Sequence, residues 1–188
     1  MRLFVAIALP EEVQDSLSRL GNGLPGARWV APENLHVTLR FLGDIDGSDA
    51  QDIDAALAEI QVPAFPLTIA GVGRFGDSRH VRQLWAGVEP HPELLRLQSK
   101  IESAVVRSGQ PPERRKFKPH VTLARFKSRP APRLGEFLSA HGLFRLPPFE
   151  VESFTLFSSF LSSGGSIYSE EAVYDLVHDM APAPTGEG

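Results

Sequence analysis

The chain has 188 residues, a net charge of −4, 42% hydrophobic and 22% charged residues, and no cysteine. This is the make-up of a soluble globular chain with room for a substantial core; it excludes disulfides, thiolate nucleophiles and cysteine-based zinc sites and fits a reducing cytoplasm. The small negative charge argues against broad electrostatic binding to long nucleic acid, and no apolar run approaches the roughly 18 residues that span a bilayer, so no membrane partner is expected.

The opening MRLFVAIALPEE has acids directly after a short apolar run, so residues 3–9 read as a buried strand and not as a signal peptide. Pro10, Glu11 and Glu12 start a helix, with proline in its first turn and acids at the positive end of its dipole, and Gly21 stops it. A loop with a short extended piece at 28–30 leads to a strand over 36–42. A helix over 48–60 follows, with Ile53, Leu57 and Ile60 on one side, then strands over 64–74 and 81–88 joined by a Gly76-Asp77-Ser78 turn. There the order restarts. WAGVEP resembles FVAIALP and precedes a helix over 92–107 that turns Leu94, Leu97, Ile101 and Val105 inwards. A basic loop, a strand over 120–126, a short helix over 134–140, and strands over 149–160 and 168–177 complete the series; the Pro/Gly-rich residues 181–188 are expected to be a disordered tail.

The order is a duplicated strand–helix–strand–helix–hairpin unit, with pseudo-repeats at about 1–83 and 84–178 inside one bilobal domain, 1–180. The expected fold class is α+β: two antiparallel-rich sheets, one from each unit, facing a central groove with helices on the outside.

Each unit contains HVTL, as His36-Val37-Thr38-Leu39 and His120-Val121-Thr122-Leu123. Strand alternation puts His36, Thr38 and Arg40 on one side and Val37, Leu39 and Phe41 on the other; His120 and Thr122 likewise share a side. A lone copy would be an ordinary core strand, but two at matching steps suggest two halves of one site. Paired imidazoles can hold one neutral and one protonated member near neutral pH. One takes a proton from water and the other gives one to a leaving oxygen. The threonine hydroxyls suit the non-bridging oxygens of a phosphate between them, and a nearby arginine adds charge-assisted bonds. No third metal ligand sits at a familiar spacing, and no G-x-S-x-G context appears. Only the second copy lies in a basic run: Arg114, Arg115, Lys116, Lys118, Arg125, Lys127, Arg129 and Arg133 follow the single acid Glu113.

On RLFVAIALP, PENLHVTLRFLG, KPHVTLARF and FTLFSSF with Tyr168, nearly the whole chain resembles the 2H phosphoesterase superfamily. Within it, the chain resembles the RNA 2′,3′-cyclic phosphodiesterases, the so-called 2′-5′ RNA ligases. The resemblance implies hydrolysis of a terminal 2′,3′-cyclic phosphate to a 2′-phosphomonoester with no metal or other cofactor. It implies His36 as proton donor to the 3′-oxygen, His120 as acceptor from water, and Thr38 and Thr122 on the phosphate. Sequence physics alone is symmetric between the two histidines. Arg125 matches a family position near the phosphate, although regular alternation points it away from His120 unless the strand bulges. Arg40, Tyr168 and Phe126 are further candidates for substrate binding, and Trp29 and Phe4 are weighed as stacking surfaces, Phe4 reading better as core. The implied partners are RNA 3′ ends bearing the cyclic phosphate, tRNA fragments among them, met by a cytoplasmic monomer. The rival readings are a 2H enzyme acting on a small cyclic nucleotide or a 2′-5′ linkage, reversible 2′-5′ ligation included, and a non-catalytic nucleotide- or RNA-binding module.

Overall fold

The computed structural model describes residues 1–77, 79–127 and 133–178; Arg129 of the basic run and the expected tail at 181–188 lie outside the described residues. The elements run β1 (Arg2–Ala8), α1 (Glu11–Ser18), β2 (Ala27–Trp29), β3 (His36–Asp44), α2 (Gly47–Ala58), β4 (Phe65–Leu67), β5 (Ile69–Phe75) and β6 (Gln83–Val88). They continue α3 (Pro92–Arg107), β7 (His120–Phe126), α4 (Leu134–Ala140), β8 (Phe149–Val151), β9 (Ser153–Ser162) and β10 (Gly165–Asp175). A 3-10 turn, Pro32–Asn34, enters β3.

Local chemistry accounts for most of these elements. α3 buries Leu94, Leu97, Ile101, Ala104 and Val105 completely, a stripe at helical spacing. Each large aliphatic among them contributes about 2 kcal/mol of burial. Its N-cap is His91, whose Nδ1 accepts from the Glu93 amide at 3.1 Å while the ring stacks on Phe65. β1 is buried along its middle because it lies between β3 and β9, antiparallel to both. Among the described residues no helix is long and apolar enough to cross a membrane.

The main sheet runs β10-β9-β1-β3-β7-β6-β5, with β2 added to β7. The part built from β10, β9, β1 and β3 meets the part built from β7, β6 and β5 at one residue pair, Val37–Val121. Mixed antiparallel α+β architecture around a central seam is therefore as expected, but the sequence units do not each build their own sheet. The C-terminal hairpin β9–β10 lies against β1 from the start of the chain, and β5 of the first unit lies against β6 of the second. Apolar patterning marks strands without naming their partners, and the Gly76 turn ties β5 directly to β6. A second correction concerns the strands read over 64–74 and 149–160. Each is broken, at Thr68 and at Glu152, and the detached pieces β4 and β8 pair with each other in a separate two-stranded sheet. Pro66 is tolerated there because β4 is an edge strand.

Candidate active site

Val37 and Val121 pair with their side chains fully buried, so their neighbours on either side project from the opposite face into the groove. Antiparallel register then sets Thr122 across from His36 and Thr38 across from His120. A cavity wall shared by His36, Thr38, Thr122 and Arg125 agrees with that crossing.

Both motif strands carry a bulge one step later. On β3 the register against β1 passes from Ala6–Thr38 to Val5–Arg40, leaving Leu39 as the extra residue. On β7 the register against β6 passes from Trp85–Thr122 to Leu84–Ala124, leaving Leu123 extra. A one-residue slip exchanges the faces of everything beyond it. Arg125 therefore shares the groove face with His120 and Thr122, where regular alternation would have turned it away. Phe126 turns the other way and packs against the core, which corrects its candidacy as a substrate contact. Arg40 likewise leaves the face of His36 and is only 8% exposed. Its Nε donates to Glu102 at 2.5 Å, and its Nη1 and Nη2 donate to the carbonyls of Phe41 and Pro111, each at 2.6 Å. Phe41 takes the groove face instead, 48% exposed, with the Arg2 guanidinium 5.4 Å from its ring.

The two imidazoles are held alike. His36 Nδ1 donates to the Asn34 carbonyl and His120 Nδ1 to the Lys118 carbonyl, both at 2.6 Å. The acceptor is the residue two positions back in each case, which leaves Nε2 for the groove. At His36 this nitrogen lies 2.8 Å from Thr38 Oγ1, so in the neutral tautomer it accepts from that hydroxyl. The Asn34 side-chain amide donates to the Ser166 carbonyl at 2.8 Å, tying the entry turn to β10. Aromatic rings back both histidines: Phe4 at 4.9 Å and Tyr168 at 5.5 Å from His36, Phe75 at 4.9 Å and Trp85 at 6.4 Å from His120. Phe4 is thus buried and a wall of the site at once, and Tyr168 stands on the groove face with it. Burial lowers the pKa of both histidines from the ordinary 6.5. The Asn34 and Lys118 carbonyls act in the opposite sense, while the Arg125 charge lowers both further and the His120 charge adds to the lowering at His36. The free groove accordingly favours neutral imidazoles and resists a second proton.

Two cavities adjoin the seam. One holds His36, Thr122, Arg125 and Tyr168; the other, about 560 Å³, holds His120, Phe75 and the basic loop, and Thr38 and Phe41 line both. Trp29 belongs to neither; it is partly buried on the core beside Phe137, 6.1 Å away, and lies outside the groove. Strand alternation places Phe41 on the buried side, and Asn34, Phe75, Gln83 and Trp85 belong to no motif that singles them out. Gln83 lies opposite Arg125, and its Oε1 accepts from Thr122 at 3.4 Å.

The LigT-like phosphoesterase family model matches two consecutive stretches, residues 7–85 and 87–168. A relative from Archaeoglobus fulgidus named RNA 2′,3′-cyclic phosphodiesterase is 32% identical over 179 residues, covering 93% of this chain and 100% of that protein. Among solved structures, the protein TT0787 of Thermus thermophilus superposes with a TM-score of 0.79 at 30% identity, covering 96% of this chain and 100% of its own. Escherichia coli LigT in complex with 3′-AMP gives a TM-score of 0.76 at 29% identity, covering 93% of this chain and 97% of its own.

Proposed function

Because the chain belongs to the LigT-like phosphoesterase family, we propose that it hydrolyses the terminal 2′,3′-cyclic phosphate of RNA, with His36 and His120 as the acid–base pair. The observation that carries this reading is the crossed His/Thr arrangement about Val37–Val121, with both Nδ1 atoms committed to carbonyls and Arg125 on the same face.

In the reaction, water attacks phosphorus as His120 Nε2 removes its proton. The P–O3′ bond breaks, and the leaving O3′ takes a proton from His36 Nε2. One water is added across the ring, giving a 2′-phosphomonoester and a free 3′-hydroxyl. His36 ends neutral and His120 protonated, and exchange with solvent resets the pair. Thr38, Thr122 and Arg125 hold the non-bridging oxygens, where charge builds in the transition state. The free-state electrostatics hold both imidazoles neutral, which suits a base, and the assignment of His120 to that role follows the family resemblance. His36 acquires its proton as the anionic phosphate enters and offsets the Arg125 charge. Arg40 acts at one remove, by fixing the loop ahead of His120.

Units 1–83 and 84–178 are read as a duplication, supported by the two consecutive matches of one family model. The same reading takes the protein as a cytoplasmic monomer acting on RNA 3′ ends, tRNA fragments included. The test is to supply RNA ending in a 2′,3′-cyclic phosphate, in chelator, and to identify the product against 2′- and 3′-phosphate standards. A 2′-phosphate is expected; a 3′-phosphate, or no turnover once chelator is added, would overturn the metal-free His36-acid mechanism.

A further inference from the structure

We infer that the cavity beside His120 is a subsite for the nucleotide that precedes the cyclic end, so that the protein prefers an oligonucleotide end to a cyclic mononucleotide. The inference rests on the phosphodiesterase reading of the groove and adds a second nucleotide unit to it.

The reacting phosphate already has its partners in Thr38, Thr122 and Arg125. The cavity of about 560 Å³ has a separate set of cations, Arg82, Arg115, Lys116 and Lys118. Among the described residues that line it the only acid is Glu113, whose carboxylate accepts from the Arg115 amide at 2.9 Å. Cations in excess of what one phosphate needs imply a second phosphate, and in RNA the nearest is the phosphodiester on the 5′ side of the terminal nucleotide. Phe41, Phe75 and Phe117 supply apolar, partly aromatic surface in the same cavity, which suits a base more than a bare anion. The volume lies within the range of roughly 300–1,000 Å³ typical of small-ligand clefts.

A run of basic residues on a loose loop would be no more than a solvated face. This one is anchored. Arg40 pairs with Glu102 at 2.5 Å and donates to the Pro111 carbonyl at 2.6 Å, and the Glu113 amide donates to Glu102 at 2.8 Å. Strand β3, helix α3 and the loop are thereby fastened together, and the loop presents its cations to the groove from a defined position. Thr38 and Phe41 line both cavities, so a strand can pass from one to the other without leaving the protein surface.

The test compares kcat/KM for a dinucleotide ending in a 2′,3′-cyclic phosphate with that for the matching cyclic mononucleotide. The dinucleotide is expected to be better by about tenfold or more, and its advantage to shrink as salt rises. Arg115 and Lys116 are exposed, so the double variant R115A/K116A keeps the fold and is expected to remove most of the advantage. Equal kcat/KM for the two substrates, or an advantage untouched by both salt and the double variant, would overturn the subsite alone. Hydrolysis of neither substrate would overturn the phosphodiesterase reading and the subsite with it.

Discussion

β3 and β7 carry the same four residues, the same bulge after them and the same Nδ1 anchor before them, and they differ in what stands on either side. Past the bulge, β3 presents Phe41 to the groove and buries Arg40, whereas β7 presents Arg125 and buries Ala124. Ahead of the histidine, β3 is entered by a short turn whose Asn34 is fastened to β10, whereas β7 is entered by the basic loop. The shared residues thus form two equivalent His/Thr halves, and the flanks place a cation on the groove face of one and an aromatic ring on that of the other.

The equivalence is broken most severely at the histidines. His36→Ala and His120→Ala are each expected to lower kcat by about 10²–10⁴-fold, and the double variant to lose far less than the product of the two. Their roles separate with a substrate whose leaving group needs no proton, such as a nitrophenyl phosphodiester. His36→Ala should recover much of its loss on that substrate and His120→Ala should not. Equal recovery by both would dissolve the distinction between acid and base.

Arg125 and Phe41 occupy matching positions beyond the two bulges, so exchanging their character sharpens the comparison. Arg125→Ala should cost about 10- to 100-fold in kcat/KM, the usual scale for a charge-assisted bond to an anion, with partial recovery in Arg125→Lys. It should also move the acid limb of the kcat/KM profile to higher pH, since the Arg125 charge depresses both histidines. A merely structural arginine would lower activity without moving that limb.

These flanks are where reading the chain by alternation stopped working. Helices α3 and α4 and strand β7 lie where their spacing predicts, because an apolar stripe or an alternating run reports burial directly. The HVTL pairs were legible for the same reason. Leu39 and Leu123 were not, because an apolar residue fits a bulge as readily as a regular strand, and the slip is set by the partner strands β1 and β6. One misplaced leucine in each strand suffices to send Arg40 and Phe126 to the wrong face and to hide Phe41. Strand exchange between the units was hidden in the same way: pairing partners are a property of the assembled sheet, and the breaks at Thr68 and Glu152 leave the pattern on either side intact.

The smallest expected effect is on stability and concerns both histidines together. Each has a folded pKa below the ordinary 6.5, chiefly through burial, so below that value the unfolded chain binds protons that the folded chain declines. The associated stability is complete above pH 6.5 and is lost as the pH falls towards the folded values. Urea midpoints measured from about pH 7.5 to 5 should therefore decline, and His36→Gln or His120→Gln should each flatten part of that decline. The two imidazolium charges repel each other, so either replacement should also ease protonation of the remaining histidine. A bound phosphate monoester should flatten it as well, because an anion between the imidazoles favours their charged forms and offsets Arg125. If the ligand instead steepened the acid loss, the anion would not be sitting between the histidines, and the two strands would lose their claim to a common site.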